Sequence, residues 1–331
     1  MITTTTTWRQ TVTATVRNSI LVGGFILLVG CSEPAPETAA ASATNTATPQ
    51  VALIMKSLAN EFFVNMREAA QQHHGEHSDQ YQLIVNGIKN ESDLAAQVAL
   101  VDQMIARGVD AMVIAPADSK ALVPALARAV NQGIHVVNID NQLDADVLAE
   151  YGINIPFIGP SNREGARLVA DHVLGQLPPD SKVFVLEGIP TAFNAQERAA
   201  GFNEMIEKYG MQRVASQSAA WDQTRAAEIT AAVLTRFADI DVILAANDSM
   251  ALGAASAVSL AGRDDIVIAG FDNISAIHPL LQNGSVLATL DQFGDQFAIY
   301  GIEFALEMIS GRATISHQQT PVKLITAADL E

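Results

Sequence analysis

The residues of this 331-residue chain that could do chemistry gather just behind short apolar runs. They are residues 56–63 (KSLANEFF), Asn86-Gly87, residues 115–118 (APAD), Asp140-Asn141, residues 189–198 (IPTAFNAQER), Trp221-Asp222, Asn247-Asp248 and residues 271–273 (FDN). Carboxylates, amides, single cations and aromatic rings dominate, a set suited to holding a small polar molecule. Lys56, Asn60 and the paired Phe62 and Phe63 leave two readings open, a helix start packed on a core or one wall of a pocket. No serine, cysteine or histidine sits in a nucleophile motif, because GxSxG, GxxxxGK[ST], HExxH and GxGxxG are all missing. His73, His74 and His77 in HHGEH have a metal-like spacing, but Gly75 marks a helix end and no fourth ligand is near, so a solvated terminus is expected. No metal and no cofactor are therefore expected.

The elements that must position these residues form two series. Strand-like runs VALIM, YQLIV, DAMVIA and IHVVNI alternate with helical stretches, and then IPFIG, KVFVLEG, RVASQS, DVILAA and DIVIAGF do the same. Two successive β-α arrays predict an α/β protein with two doubly wound parallel sheets, each covered by helices on both faces. In such sheets ligands bind beyond the carboxyl ends of the strands, where the polar and aromatic residues lie. Trp221 is read as a cleft wall over a core ring, Asp248 as an N-cap or a hinge-side structural residue rather than a sugar contact, and Arg163 as a solvated first-turn residue.

With these strings in view, the chain resembles the periplasmic sugar-binding proteins of the ribose-binding type, within the lactose-repressor-like family. The matching stretches are LANEFFVNMREAA, IAPADSKAL, NAQERAAGF, LAANDSMALGA, AGFDN and LATLDQ, and they span nearly all of residues 51–328. The resemblance implies a type I periplasmic-binding fold, two lobes joined by a three-strand hinge, with a monosaccharide in the cleft. It divides the chain into an N-terminal lobe of residues 51–160 plus 293–322 and a C-terminal lobe of residues 161–292 plus 323–331. By position it assigns ligand contacts to Lys56, Asn60, Phe62, Phe63, Asp140, Asn141, Asn194, Gln196, Arg198, Trp221, Asn247, Asp272 and Gln292. The chemistry fits, since rings cover the C–H faces of a sugar while carboxylates, amides and guanidinium groups bond its hydroxyls.

One of Phe62 and Phe63 is expected to face the cleft and the other the core, and Asn60 is expected to cap its helix as well. Three positions depart from the ribose pattern. Lys56 replaces a small hydroxyl, Ala115 an asparagine and Asn141 an arginine. Lys56 can bond a hydroxyl, pair with Asp140, or stand as a charge at the rim. An aldose, a ketose or a sugar alcohol all fit this redistribution.

Upstream, residues 1–30 hold Arg9 and Arg17, no acid, and an apolar run from Ile20 to Val29. Ten residues are too few for a membrane span of about 20 and suit a secretory signal peptide. LVGC then looks like a lipobox with Cys31, the only cysteine, as the lipidated residue. Residues 31–50, rich in Ala, Thr, Ser and Pro, read as a flexible tether. Removing the signal leaves 17 basic against 36 acidic residues, a formal charge of −19, which disfavours nucleic acid as a partner.

The expected protein is a monomer in the periplasm or cell envelope, held to a membrane by lipid. It captures a monosaccharide or polyol and delivers it to ABC permease subunits. A sensing module that presents its closed form to a chemoreceptor or sensor kinase is the alternative. A sugar-modifying enzyme is the other rival.

Overall fold

The structure, a computed structural model, describes residues 48–313 and 316–330. The signal segment, Cys31 and the tether up to residue 47 lie outside the described residues. Among the described residues, no helix is long and apolar enough to cross a membrane.

The first lobe is built from β1 (Gln50–Ser57), α1 (Glu61–Glu76), β2 (Gln82–Ile88), α2 (Leu94–Arg107), β3 (Ala111–Ile114), α3 (Val123–Asn131), β4 (His135–Ile139), α4 (Ala145–Glu150) and β5 (Phe157–Pro160). The second holds α5 (Asn162–Leu174), β6 (Lys182–Glu187), α6 (Phe193–Lys208), β7 (Gln212–Ser218), α7 (Gln223–Arg236), β8 (Val242–Ala245), α8 (Asp248–Leu260), β9 (Val267–Ala269), α9 (His278–Gln282) and β10 (Thr289–Asp291). The chain then returns through α10 (Gly294–Ile309) and β11 (Gln318–Thr320) to β12 (Lys323–Ile325).

The first sheet is parallel throughout, in the order β11-β5-β4-β3-β1-β2, and the second runs β7-β6-β8-β9. Strand β10 pairs antiparallel with β12. The chain therefore passes between the sheets three times, after β5, after β10 and between β11 and β12, which is the hinge.

Central strand β1 shows why the apolar runs become buried strands. Val51, Leu53 and Met55 join one core with Phe62, Phe63 and Met66, while Ala52 and Ile54 join the core on the other face. Alternate side chains point to opposite faces, so a strand covered on both sides must be apolar at every position. Helix α10 packs on α1, β3 and β4, and α5 pairs with α6 as α7 does with α8.

Near the hinge, Asp248 is fully buried, and it forms no ion pair among the described residues. One carboxylate oxygen accepts from the Thr289 hydroxyl at 2.7 Å and the other from the Ile274 N–H at 3.1 Å. Asn247 caps α8 by accepting from the Met250 N–H, so of the two roles expected for Asp248 the structure shows the hinge-side one, a tie between α8 and the strand feeding the hinge.

Burial pushes the Asp248 carboxyl from 3.8 up to about 6. Because folding raises this pKa, the stability it brings is fully present below pH 3.8 and is lost as pH rises through about 6. Asp248→Asn removes the titration, and Thr289 can turn its hydroxyl to accept from the amide. The variant is expected to gain stability relative to wild type by about 2 kcal/mol between pH 4 and pH 7, at 1.36 kcal/mol per pKa unit. Urea midpoints across that range measure it, and a pH-independent gap between the two proteins would contradict it.

Candidate functional site

A cavity lies where the two lobes face each other, lined by Lys56, Asn60, Phe62, Phe63, Glu91 and Asp140 on one side. Asn194, Arg198, Trp221, Asn247, Asp272 and Gln292 line the other. Its volume is about 230 Å³, and Lys56, Asp140, Asn194, Arg198 and Gln292 in its wall are each at most 2 % exposed. The wall groups have closed on one another. A ligand must therefore enter with the lobes parted and exchange these mutual contacts for its own.

Lys56 owes its position to an irregularity in β1. The pairing with β2 slips between Met55 and Ser57, leaving Lys56 without a partner in that register. The side chain is 2 % exposed and lies 2.9 Å from Asp140 Oδ2 and 3.7 Å from Glu91 Oε2. It is a charge on the cavity floor rather than at the rim, and the pairing with Asp140 is present. A buried ammonium of this kind needs such partners, since its desolvation alone costs several kcal/mol.

Asn60 is bonded in two directions, as N-cap accepting from the Phe62 N–H at 3.1 Å and as donor to Glu91 Oε1 at 3.1 Å. Both phenylalanine rings reach the cavity, crossing edge to face at 5.1 Å. The expected division, one ring outward and one inward, is resolved differently. Phe62 also packs against Phe297 behind it, so a single ring serves core and wall.

On the opposite side Arg198, from the first half of α6, is the centre of a bonded group. Its Nε donates to Asn162 Oδ1 at 2.8 Å, Nη1 to the Ala246 carbonyl at 2.8 Å and to Asp272 Oδ1 at 3.4 Å, and Nη2 to Gln292 Oε1 at 3.3 Å. Gln292 Nε2 in turn donates to Asp272 Oδ1 at 2.7 Å. The guanidinium carbon lies 3.7 Å from the Phe271 ring centroid and 5.5 Å from that of Trp221. Burial holds the Asp272 carboxyl well above its usual range even though Arg198 pulls it back. Desolvation likewise lowers the Arg198 guanidinium, against the pull of Asp272 and Asp140. Both charges are held at a cost that only mutual contact offsets.

Several wall residues sit on strained backbone. Asp140 has φ 62°, Trp221 φ 67° and Asp272 φ 124°, and Phe293 beside the hinge has φ 53°. Non-glycine residues in this region cost on the order of 1–3 kcal/mol each and gather at functional sites. Nothing in the residue types announces this strain.

Two residues named from the sequence stand outside the cavity wall. Asn141 is fully buried, donating to the Pro116 carbonyl at 2.9 Å and accepting from the Asn194 N–H at 3.1 Å. It bonds the Asn194 backbone across the cleft and does not line the cavity. Gln196, in the first turn of α6, is exposed and donates to the Pro190 carbonyl of the preceding loop. Ala115 is buried, and its carbonyl accepts from Gln97 Nε2 at 2.8 Å.

Glu91 is the wall residue the sequence reading missed. The strand was expected to end at Val85, but β2 continues through Asn86, Gly87 and Ile88, which moves the functional loop on to residues 89–93. Burial raises the Glu91 carboxyl, with Lys56 acting in the opposite direction.

The histidines also differ from expectation. Helix α1 runs through Gly75 to Glu76, and His73 stacks on His77 at 4.3 Å while bonding the Tyr81 hydroxyl at 2.8 Å. They are half-buried packing residues rather than a solvated terminus. Among the described residues, no group of three or more His, Cys, Asp or Glu is placed to hold a metal ion. Arg163 is half-exposed, as expected, and bridges α5 to Glu197 and Glu204 of α6.

Residues 51–313 match the periplasmic binding protein domain. The chain belongs to the periplasmic binding protein family. Among the relatives of this periplasmic binding protein is a D-ribose/D-allose-binding protein of Pseudomonas aeruginosa. It is 46 % identical over 308 residues, covering 91 % of this chain and 96 % of the relative. A solute-binding protein of an ABC transporter from Burkholderia multivorans, solved with an unknown ligand interpreted as α-D-erythrofuranose, superposes with a TM-score of 0.82. It is 46 % identical, over 85 % of this chain and 100 % of the other. A second, from Actinobacillus succinogenes with bound D-allose, gives 0.79 at 32 % identity, over 85 % and 98 % of the two chains. These relatives and this fold are those of solute-binding proteins of ABC transporters, not of enzymes. Family membership implies a periplasmic location.

Proposed function

We propose that this chain captures a monosaccharide between its lobes, an aldose of the ribose or allose kind, and delivers it to the permease subunits of an ABC importer. The carrying observation is the composition of the cavity. Three aromatic rings, two carboxylate–cation sets and four amides converge on one space from both lobes. Asn194 Oδ1 and Trp221 Nε1 are buried there without a hydrogen-bond partner in the protein, so a ligand with both donors and acceptors gains most. Because contacts come from both sides, a sugar favours the closed form, and that form is the one a permease would recognise.

The proposed ligand contacts are Lys56, Asn60, Phe62, Phe63, Glu91, Asp140, Asn194, Arg198, Trp221, Asn247, Asp272 and Gln292. The lobes are taken to divide at residues 51–160 plus 293–322 and 161–292 plus 323–331. A thermal-shift screen of the purified protein against pentoses, hexoses, polyols and sugar acids tests the reading. A ligand at 100 times its dissociation constant adds about 2.7 kcal/mol. Stabilisation by a neutral aldose is expected, and stabilisation only by a charged or non-sugar solute would overturn it.

Lipid attachment at Cys31 keeps the protein at a membrane while the tether leaves the lobes free. Cys31→Ser is expected to release it to the soluble fraction on detergent-phase partition, with sugar affinity unchanged. A variant still wholly in the detergent phase would remove the anchor from the proposal.

A further inference from the structure

Behind the indole of Trp221 lies Gly188, the residue after β6. A Cβ added there would stand 2.0 Å from Trp221 Cζ2, 2.2 Å from Cη2 and 2.3 Å from Cε2, all atoms of the six-membered ring. No side-chain carbon can occupy that space unless the ring moves. Gly188 does not have the left-handed backbone that only glycine adopts readily, so the ring is what opposes a side chain there.

The loop carrying Trp221 cannot retreat from this contact. Ala219 donates its N–H to the Glu187 carbonyl at 2.9 Å, and the Ser218 hydroxyl donates to the Gly188 carbonyl at 2.5 Å while accepting from the Ala220 N–H at 3.3 Å. Ala220 and Trp221 both hold positive φ, at 53° and 67°. On the far side, Asp222 caps α7 through the Arg225 N–H at 2.7 Å. Trp221 lines the cavity and Gly188 does not, so the ring stands between them. Pushed from behind by a tied loop, the indole has one direction open to it, into the ligand space.

We infer that Gly188 sets the width of the cavity and so decides which size of sugar fits, acting as a positioning residue through Trp221. This rests on the monosaccharide reading above. With glycine the cavity takes a six-carbon aldose as well as a five-carbon one; with a methyl group it keeps only the smaller.

The test is calorimetric titration of D-ribose and D-allose into the purified wild-type, Gly188→Ala, Trp221→Phe and double-variant proteins. In Gly188→Ala the ribose-to-allose affinity ratio is expected to rise at least about ten-fold, the effect of one methyl-sized change in a tight pocket. Phenylalanine lacks the atoms that collide, so adding Trp221→Phe should return the ratio to that of Trp221→Phe alone. Equal weakening of both sugars, or an unchanged ratio, would overturn the inference. Should Gly188→Ala not fold, the double variant decides. Folding and binding regained on trimming the ring support the assignment, and a double variant that still does not fold overturns it. Wild-type protein that takes up neither sugar would overturn the function reading and this inference with it, whereas wild type that binds both leaves only the glycine in question.

Discussion

Replacing Arg198 by alanine is expected to abolish sugar binding at accessible concentrations and to destabilise the protein at the same time. The guanidinium is buried and shares its donors among Asn162, the Ala246 carbonyl, Asp272 and Gln292. Without it, Asp272 is left as a buried carboxylate beside Gln292 alone, and an uncompensated charge of that kind costs about 3–5 kcal/mol. Bonds from a charged donor to sugar hydroxyls contribute about 1.5–3 kcal/mol each, so two of them correspond to a loss of roughly 10² to 10⁴ in affinity. The two effects can be separated by adding Asp272→Asn, which removes the stranded charge. The double variant should recover much of the stability and none of the affinity. A folded Arg198→Ala protein with near-native affinity would place the site elsewhere.

Trp221→Ala carries the second largest effect, and here the structure merges two readings that the sequence kept apart. The residue is 6 % exposed, so it is packed like a core ring, yet it also forms the cavity wall with the Lys56 ammonium 6.0 Å and the Arg198 guanidinium carbon 5.5 Å from its ring centroid. Deleting the ring should therefore cost about 3–5 kcal/mol of folding stability. It should also weaken sugar binding, with about 0.5–1.5 kcal/mol from lost stacking geometry and the rest from lost burial. Trp221→Phe keeps a ring face and should lose affinity only modestly. Indole fluorescence should change saturably with sugar, because Trp221 is one of only two tryptophans and the other, Trp8, falls in the segment expected to be a signal peptide. Lost stability with intact affinity in the folded fraction would take Trp221 out of the site.

Much of this was legible because parallel α/β sheets place function at strand ends, and apolar runs locate the ends. Asp140, Asn247 and Asp272 each stand within three residues of a strand's end, and each reaches the cavity. Where the cavity wall differs from the expected contacts, the causes are physical. Glu91 was hidden because β2 carries the polar Asn86 and a glycine inside the strand, so the apolar run stopped three residues early. Asn141 and Gln196 have the right chemistry and neighbouring positions, but backbone direction decides whether a side chain enters the cleft. At residue 140 φ is positive, which turns Asp140 inward and leaves Asn141 to bond Pro116. Residue type could not reveal that Lys56 is buried rather than at the rim; that follows from a register slip in β1. Helix α10, apolar along much of its length, was not among the elements enumerated from the pattern, although it closes the core of the first lobe on β3 and β4.

Asp140 and Lys56 also show why the pocket can differ from the ribose pattern and still suit a sugar. A lysine in place of a small hydroxyl brings a charge, and Asp140 and Glu91 answer it. The first-lobe wall is thus a lysine between two carboxylates, matched across the cleft by an arginine beside one carboxylate. Each set can trade internal contacts for hydroxyl bonds without leaving a charge bare.

Calorimetric titration of purified protein with D-ribose and with D-allose tests the central claim most directly, because it reads stoichiometry and affinity without a label. The account predicts saturable 1:1 binding of at least one of them, reduced at least about a hundred-fold in Arg198→Ala for the reasons of charge and hydrogen bonding given above. Heat signals that never saturate with any neutral aldose or polyol, or binding that survives intact in folded Arg198→Ala, would contradict it.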